Sequence, residues 1–231
     1  MCWNASVSFN TFLLGAFATA LAVGNGVIGA RRGVFFMSFT SMQAVEAFLW
    51  SRMGDAAANR AGSIAGYLLL LLQPLAAVFG SEPPKQPDAW RPLCLAAAAY
   101  AALLLAGAAI WRPWSIVDLS ARRAPNGHLA WNFIAALRPW MLAVWMSFLC
   151  FPIVYERDWV TLAFLLSTLA GTLYTYWRSG TWGSMWCWVS NLIAIVFLTR
   201  VFAKDLCGAH GGPDGPGAGA NGVLAVPGRH S

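Results

Sequence analysis

Charge is scarce in this chain. Only 10% of its 231 residues are Asp, Glu, Lys or Arg, where a water-soluble domain carries about 25%. So few charges cannot cover a surface with polar groups, so a soluble globular domain is excluded and lipid is the expected outer solvent. His is also rare. His128 lies in a loop, and His210 and His230 lie near the C-terminus. With no His in any apolar segment, the clustered His and acids of intramembrane metal hydrolases are missing. The five Cys, at positions 2, 94, 150, 187 and 207, form no CxxC pair. An odd, scattered set argues against a disulfide framework and a zinc site. No Lys sits in the core of an apolar segment to hold retinal, and no basic run is interleaved with aromatics. Nucleic acid is therefore not an expected partner, and no metal, cofactor or catalytic constellation is expected.

What is present is apolar. Hydrophobic residues make up 58% of the chain, with 13 Trp, and indole rings favour the membrane interface. A membrane span needs about 20 mostly apolar residues. Seven segments qualify: about 7–28, 34–50, 62–79, 92–111, 132–155, 159–177 and 181–202. They are too long for strands and lack the alternation of an outer-membrane barrel. Helices satisfy their own backbone groups in lipid. The expected fold is all-α, a polytopic seven-transmembrane-helix bundle over residues 1–203. Residues 204–231 are rich in Gly, Pro and Ala and read as a disordered tail. The net charge of +6 suggests loops held near anionic headgroups. Lys and Arg are slightly more numerous on the side of Arg31, Arg32, Lys85 and Arg91 than on that of Arg52, Arg60, Arg122 and Arg123. This leans the N-terminus to the non-cytoplasmic side. The expected partners are the bilayer and a small-molecule or ion ligand; oligomeric state has no signal in the sequence.

In a seven-span serpentine the first ten residues share a side with the end of span 2 and the starts of spans 3, 5 and 7. Intramembrane polar residues concentrate there. Thr40, Gln43, Glu46 and Trp50 recur every three or four residues, so they form one stripe on span 2. An acid at that depth must face the bundle interior or snorkel. It reads either as a proton, cation or ligand site or as a buried acid held by a neighbour to fix helix register. Arg138 is the nearest expected ionic neighbour. Pro139 offers another reading, with the fifth helix starting there, residues 128–137 as an interfacial helix and Arg138 snorkelling to phosphate.

Span 7 begins GTWGSMWCWVSN, a mix of aromatic and hydrogen-bonding groups that cannot all face lipid. Asn191 and Gln73, which precedes Pro74, lie near mid-depth and are expected to bond each other. The chain opens MCWNASVSFN. It lacks the basic n-region of a signal peptide, and Trp3, Val7 and Phe9 make it a poor free tail. Its alternation fits a short extended lid, and its spacing fits helical faces equally. It is expected to cap the polar end of the bundle. The candidate pocket is lined by Cys2, Asn4, Ser6, Gln43, Glu46, Tyr67, Gln73, Arg138, Ser184, Trp186 and Asn191.

The start MCWNASVSFN, the stretch MQAVEAFLW, the pair Gln73-Pro74 and GSMWCWVSN resemble a family of uncharacterised multi-span membrane proteins of giant DNA viruses and some microbes. A broader bacterial group that starts MCFSA is similar. The resemblance covers all seven spans and implies a seven-span fold with no established activity. Three functions follow as expectations: a transporter- or receptor-like protein handling a small ligand, ion or proton; a structural or assembly protein of a viral or host membrane; and an intramembrane lipid-modifying enzyme. The last lacks a visible base and orienting partner for a Ser or Cys nucleophile.

Overall fold

The computed structural model describes residues 4–82, 87–111, 118–135 and 137–209. Its elements are α1 (Ala5–Gly24), α2 (Ala30–Ser51), α3 (Ala56–Phe79), α4 (Arg91–Trp111), a hairpin of β1 (Ala121–Arg123) and β2 (Leu129–Trp131), α5 (Asn132–Ala135), α6 (Pro139–Tyr155), α7 (Trp159–Tyr176), α8 (Trp182–Ser190) and α9 (Ile193–Ala209). All seven apolar segments are helical. Five stretches are long and apolar enough to cross a membrane: α1, α3, residues Asp88–Ala109 with α4, α7, and Trp182–Lys204 across α8 and α9. Helix α2 has the length, but Gln43 and Glu46 lower its hydropathy. Helix α6 is apolar but has 17 residues, about 25 Å against a hydrocarbon core of about 30 Å.

Helix starts follow local chemistry. Asn4 caps α1 by accepting from the Val7 N–H at 2.8 Å. Asp55 caps α3 by accepting from Ala57 and Ala58, and Asp158 caps α7 by accepting from Thr161. Side-chain caps satisfy backbone donors that the helix cannot. Pro139 sits in the first turn of α6, where a missing N–H costs nothing.

Four expectations need correction. The opening stretch is helix from Ala5 onward, so the extended-lid alternative fails. The fifth apolar helix starts at Pro139, not near 132. Residues 128–135 are not an interfacial helix; they hold β2 and one turn of α5. The seventh span is two helices, broken at Asn191 and Leu192. In addition, α9 continues through Ala209, six residues past the expected domain end; residues 210–231 lie outside the described residues.

The distribution of polarity is inverted relative to a water-soluble domain. Gln43, Glu46, Ser63, Gln73 and Ser184 have no exposed surface, while Leu105 is 73% and Leu95 71% exposed. Soluble folds almost never fully bury so many polar groups beneath an apolar exterior. Helix α2 is central. It packs against α1, α3 and α8, and ten of its 22 residues are buried.

Candidate functional site

The break in the seventh span follows from one side chain. The Asn191 amide Nδ2 donates to the Cys187 carbonyl at 2.8 Å, the acceptor its own backbone N–H would take in an unbroken helix. Asn competes with the helix ladder in this way. The backbone N–H of Asn191 bonds Trp188 instead, and Leu192, Ala194 and Ile195 likewise make tight three-residue turns. The Asn191 Oδ1 then accepts from the Thr40 hydroxyl of α2 at 3.0 Å. Gly15 of α1 lies against both groups; a Cβ there would overlap Asn191 and Thr40. Helices α1, α2 and α8 therefore meet at one hydrogen-bonded junction, and the lack of a side chain at residue 15 is what allows it.

One turn along α2 is Gln43, and nearly one turn further lies the acid, Glu46. The Gln43 Nε2 donates to Glu46 Oε2 at 3.2 Å. Both side chains are 0% exposed, so no water-sized probe touches either. Cys187 of α8 is buried within electrostatic reach of the Glu46 carboxyl, and Ser184 lies fully buried one turn before it. On α1 the buried face is Ser8, Gly15, Ala18, Thr19 and Ala22. Ser8 is two turns from Gly15 towards the N-terminus, on the same stripe. Its hydroxyl is buried with no hydrogen-bond partner among the described residues.

In comparisons with known proteins, no family model, curated protein or solved structure matches the chain. What the chain does must therefore be argued from this geometry.

The expected lining separates into residues that meet and residues that do not. Gln43, Glu46, Ser184 and Asn191 belong to the buried layer between α2 and α8. Trp186 is buried beside it, but its indole N–H points outward to Thr168 of α7 at 3.2 Å, and its ring packs edge-on against Phe39 and Trp145. Tyr67 is half-buried, its ring 5.3 Å from that of Phe133. Asn4 is exposed and serves as a cap, and Ser6 is exposed on the first turn of α1. Neither lies in the buried layer. Arg138 is exposed at the N-cap of α6, as the Pro139 reading anticipates, and not inside with Glu46. Cys2 lies outside the described residues.

The expected Gln73–Asn191 bond is absent. The Gln73 amide instead approaches the Ser38 carbonyl at 3.5 Å. Helix α2 stands between them, with α3 on one side and α1 and α8 on the other. Pro74 matters differently. A proline lacks the N–H that would bond the carbonyl four residues back. That carbonyl, of Leu70, accepts from the Trp145 indole at 3.0 Å, and the next, of Leu71, accepts from the Tyr100 hydroxyl at 3.0 Å. This stretch of α3 thus becomes an attachment point for α6 and α4.

Sequence reasoning omitted Ser8, Thr40 and Cys187 from the candidate lining. Thr40 was signalled by its place on the Glu46 stripe, and Ser8 by its seven-residue spacing from Gly15 and Ala22. Nothing in the sequence indicated Asn59 of α3, which pairs with Ala121 of the hairpin in both directions, each bond 2.8 Å. Among the described residues no three His, Cys, Asp or Glu side chains gather in a metal-binding arrangement.

Proposed function

We propose that the chain is a multi-pass membrane protein whose seven apolar segments all cross or enter the bilayer. We further propose that the Glu46 layer handles a proton or small ligand, transporter- or receptor-like. The observation that carries this reading is a carboxyl group with no exposed surface inside an apolar-surfaced bundle. Ionisable groups at such depth are costly and concentrate on ion and proton pathways. The neighbouring helix break supports it, since discontinuous helices line many transport sites. The polar face of α2 lowers its hydropathy without excluding it from the membrane, because that face is buried in protein. The decisive test reconstitutes the purified chain in liposomes with a trapped pH dye. Glu46→Gln keeps shape and hydrogen bonding and should lower proton or cation flux at least tenfold while helix content is unchanged. Equal flux in both proteins would end this reading.

The alternative is a structural or assembly protein of a viral or host membrane. The Thr40–Asn191 contact between α2 and the end of α8 favours it, because polar pairs in lipid also serve as interhelical glue. It predicts no flux in either protein and a lower unfolding midpoint for Glu46→Gln. A lipid-modifying role would need an accessible nucleophile with an oriented base; Cys187 lies within electrostatic reach of Glu46, but both are buried.

A further inference from the structure

We propose that residues 118–135 form a retractable plug that closes the N-terminal end of the bundle, and that the Glu46 layer is reached from that side when the plug lifts. The proposal rests on the proton- or ligand-handling reading of Glu46.

The segment is built unlike the rest of the chain. An antiparallel hairpin, with Ala121 opposite Trp131, and one turn of α5 wedge between α3 and α8. Leu129, Trp131, Phe133 and Ile134 point inward and are each at most 5% exposed, whereas Arg122 and Arg123 are exposed. The piece has an apolar foot and a charged head. Strands of three residues do not hold together alone, so its order depends on the seat beneath it.

The seat is cut to fit. A Cβ at Gly66 of α3 would overlap the Trp131 ring, and one at Gly183 of α8 would overlap Ile134. Neither glycine has the positive φ that would require glycine for the backbone. Glycine weakens a helix relative to alanine, so what these two contribute is room for the foot. The seat also lies at the right depth. Gly62 lies against Leu49, and Gly80 against Phe35. In this antiparallel pair Gly66 is therefore level with Val45 and Glu46. Gly183 directly precedes Ser184, and Cys187 is one turn further on.

The attachments sit at the rim. Asn59 pairs with Ala121, and the Asn126 amide donates to the Thr181 hydroxyl at 3.1 Å. Both α3 and α8 meet the plug near their first turns. At the foot, nothing among the described residues accepts from the buried Trp131 indole N–H. Contact there is apolar and without direction, so it can break and re-form without exchanging hydrogen bonds, and lifting lets the indole find a partner. By contrast, α1, α2 and α8 are joined through the Thr40–Asn191 junction. With the plug seated, Gln43, Glu46 and Ser184 have no exposed surface, so exchange with water requires an element to move. Lifting the plug breaks the Asn59–Ala121 and Asn126–Thr181 bonds at the rim and only apolar contact at the foot.

Cys187, 2% exposed beside Glu46, is a built-in reporter. The full chain carrying Cys2→Ser, Cys94→Ser, Cys150→Ala and Cys207→Ser would be reconstituted in phosphatidylcholine–phosphatidylglycerol liposomes. It would then be exposed to a small cationic methanethiosulfonate, with labelling read at Cys187 by peptide mass spectrometry. Gly183→Val, which displaces Ile134, should raise the labelling rate at least tenfold. An Asn126→Cys/Thr181→Cys bridge should lower it at least tenfold, and reduction should restore it. Rates unchanged by both would overturn the proposal. Hydrogen exchange on the unaltered chain stands apart from any variant's folding. Amides of 121–131 should exchange at least 100-fold faster than those of α2, and equal protection would show a fixed element. Plug motion with unchanged flux in Glu46→Gln would refute the functional reading alone. A static plug with Glu46-dependent flux would refute the plug alone.

Discussion

The two ends of the bundle are closed by opposite chemistry. At the N-terminal end the closure is apolar, with Trp131 and Ile134 seated on glycines of α3 and α8. At the other end it is ionic. Arg32 at the start of α2 bonds Glu156 and, at 3.1 Å, Asp158. Arg157 between them has a φ of 59°, a left-handed conformation unusual for a side-chain-bearing residue. That tight turn between α6 and α7 presents both carboxylates to one guanidinium. Glu156 also accepts from the Glu82 backbone N–H beyond α3. A shallow cleft lies beside this cluster, lined in part by Phe35, Phe36, Pro152 and Ile153. The contrast teaches how each end responds to its surroundings. An apolar closure has no direction and is not screened by salt, whereas an ion pair at a solvent boundary is directional and screened.

Three experiments break or sharpen that contrast. The largest effect is expected from Trp131→Ala, which empties a site whose occupant is 1% exposed. Loss of a buried aromatic of this size costs about 3–5 kcal/mol. The unfolding midpoint in detergent should fall by the same amount at low and high salt; a salt-dependent loss would contradict an apolar closure. Next comes Arg32→Ala. It leaves two carboxylates without their cation; the Arg32 side chain is 26% exposed but that of Glu156 only 8%, so the loss is about 1–2 kcal/mol, above that of a fully exposed pair. That loss should shrink towards zero in about 1 M salt, where the screening length is about 3 Å. A difference that persists would mean that packing holds that end too.

The smallest effect is a pH response confined to the hairpin. His128 is buried with its ring edge-on to Tyr176, and burial holds its pKa below the ordinary 6.5. The seated hairpin therefore favours neutral imidazole. As pH falls through 6.5 towards the lowered native value, the unfolded chain takes up the proton first. Stability is full above that window and declines across it, then levels off. Hydrogen exchange of residues 121–131 should quicken between pH 7.5 and pH 5.5 relative to α2, and His128→Phe should flatten the response. An equal pH response in α2 would detach the effect from the hairpin.

The helical segments were legible because each is a long apolar run, and a run of that length has few alternatives to helix. The buried stripe Thr40–Gln43–Glu46 was legible from its spacing alone. The hairpin was not. Three-residue strands carry no periodicity, and the Pro-Asn-Gly turn between ARR and LAW fits a polar loop as well as a hairpin. The break at Asn191 was missed because Asn inside an apolar run reads as a buried amide. Only its bond to the Cys187 carbonyl turns it against the helix. The placements of Asn4 and Ser6 failed for a related reason. Alternation over ten residues suits a strand and a helix alike, and the cap formed by Asn4 decided for the helix.

Composition and periodicity sufficed to establish an apolar-surfaced helical protein with an acid on a polar helical stripe, facing inward or snorkelling. Transfer free energies act on each residue where it stands in the chain, so no knowledge of neighbours is needed. Which groups meet that acid was decided by packing. Gln43 comes from α2 and Cys187 from α8, and α1 closes on the Asn191–Thr40 bond beside them because Gly15 leaves room. The same holds for the plug. Gly66 and Gly183 have no side chain to announce their role, and the room they leave acquires meaning only once Trp131 and Ile134 fill it.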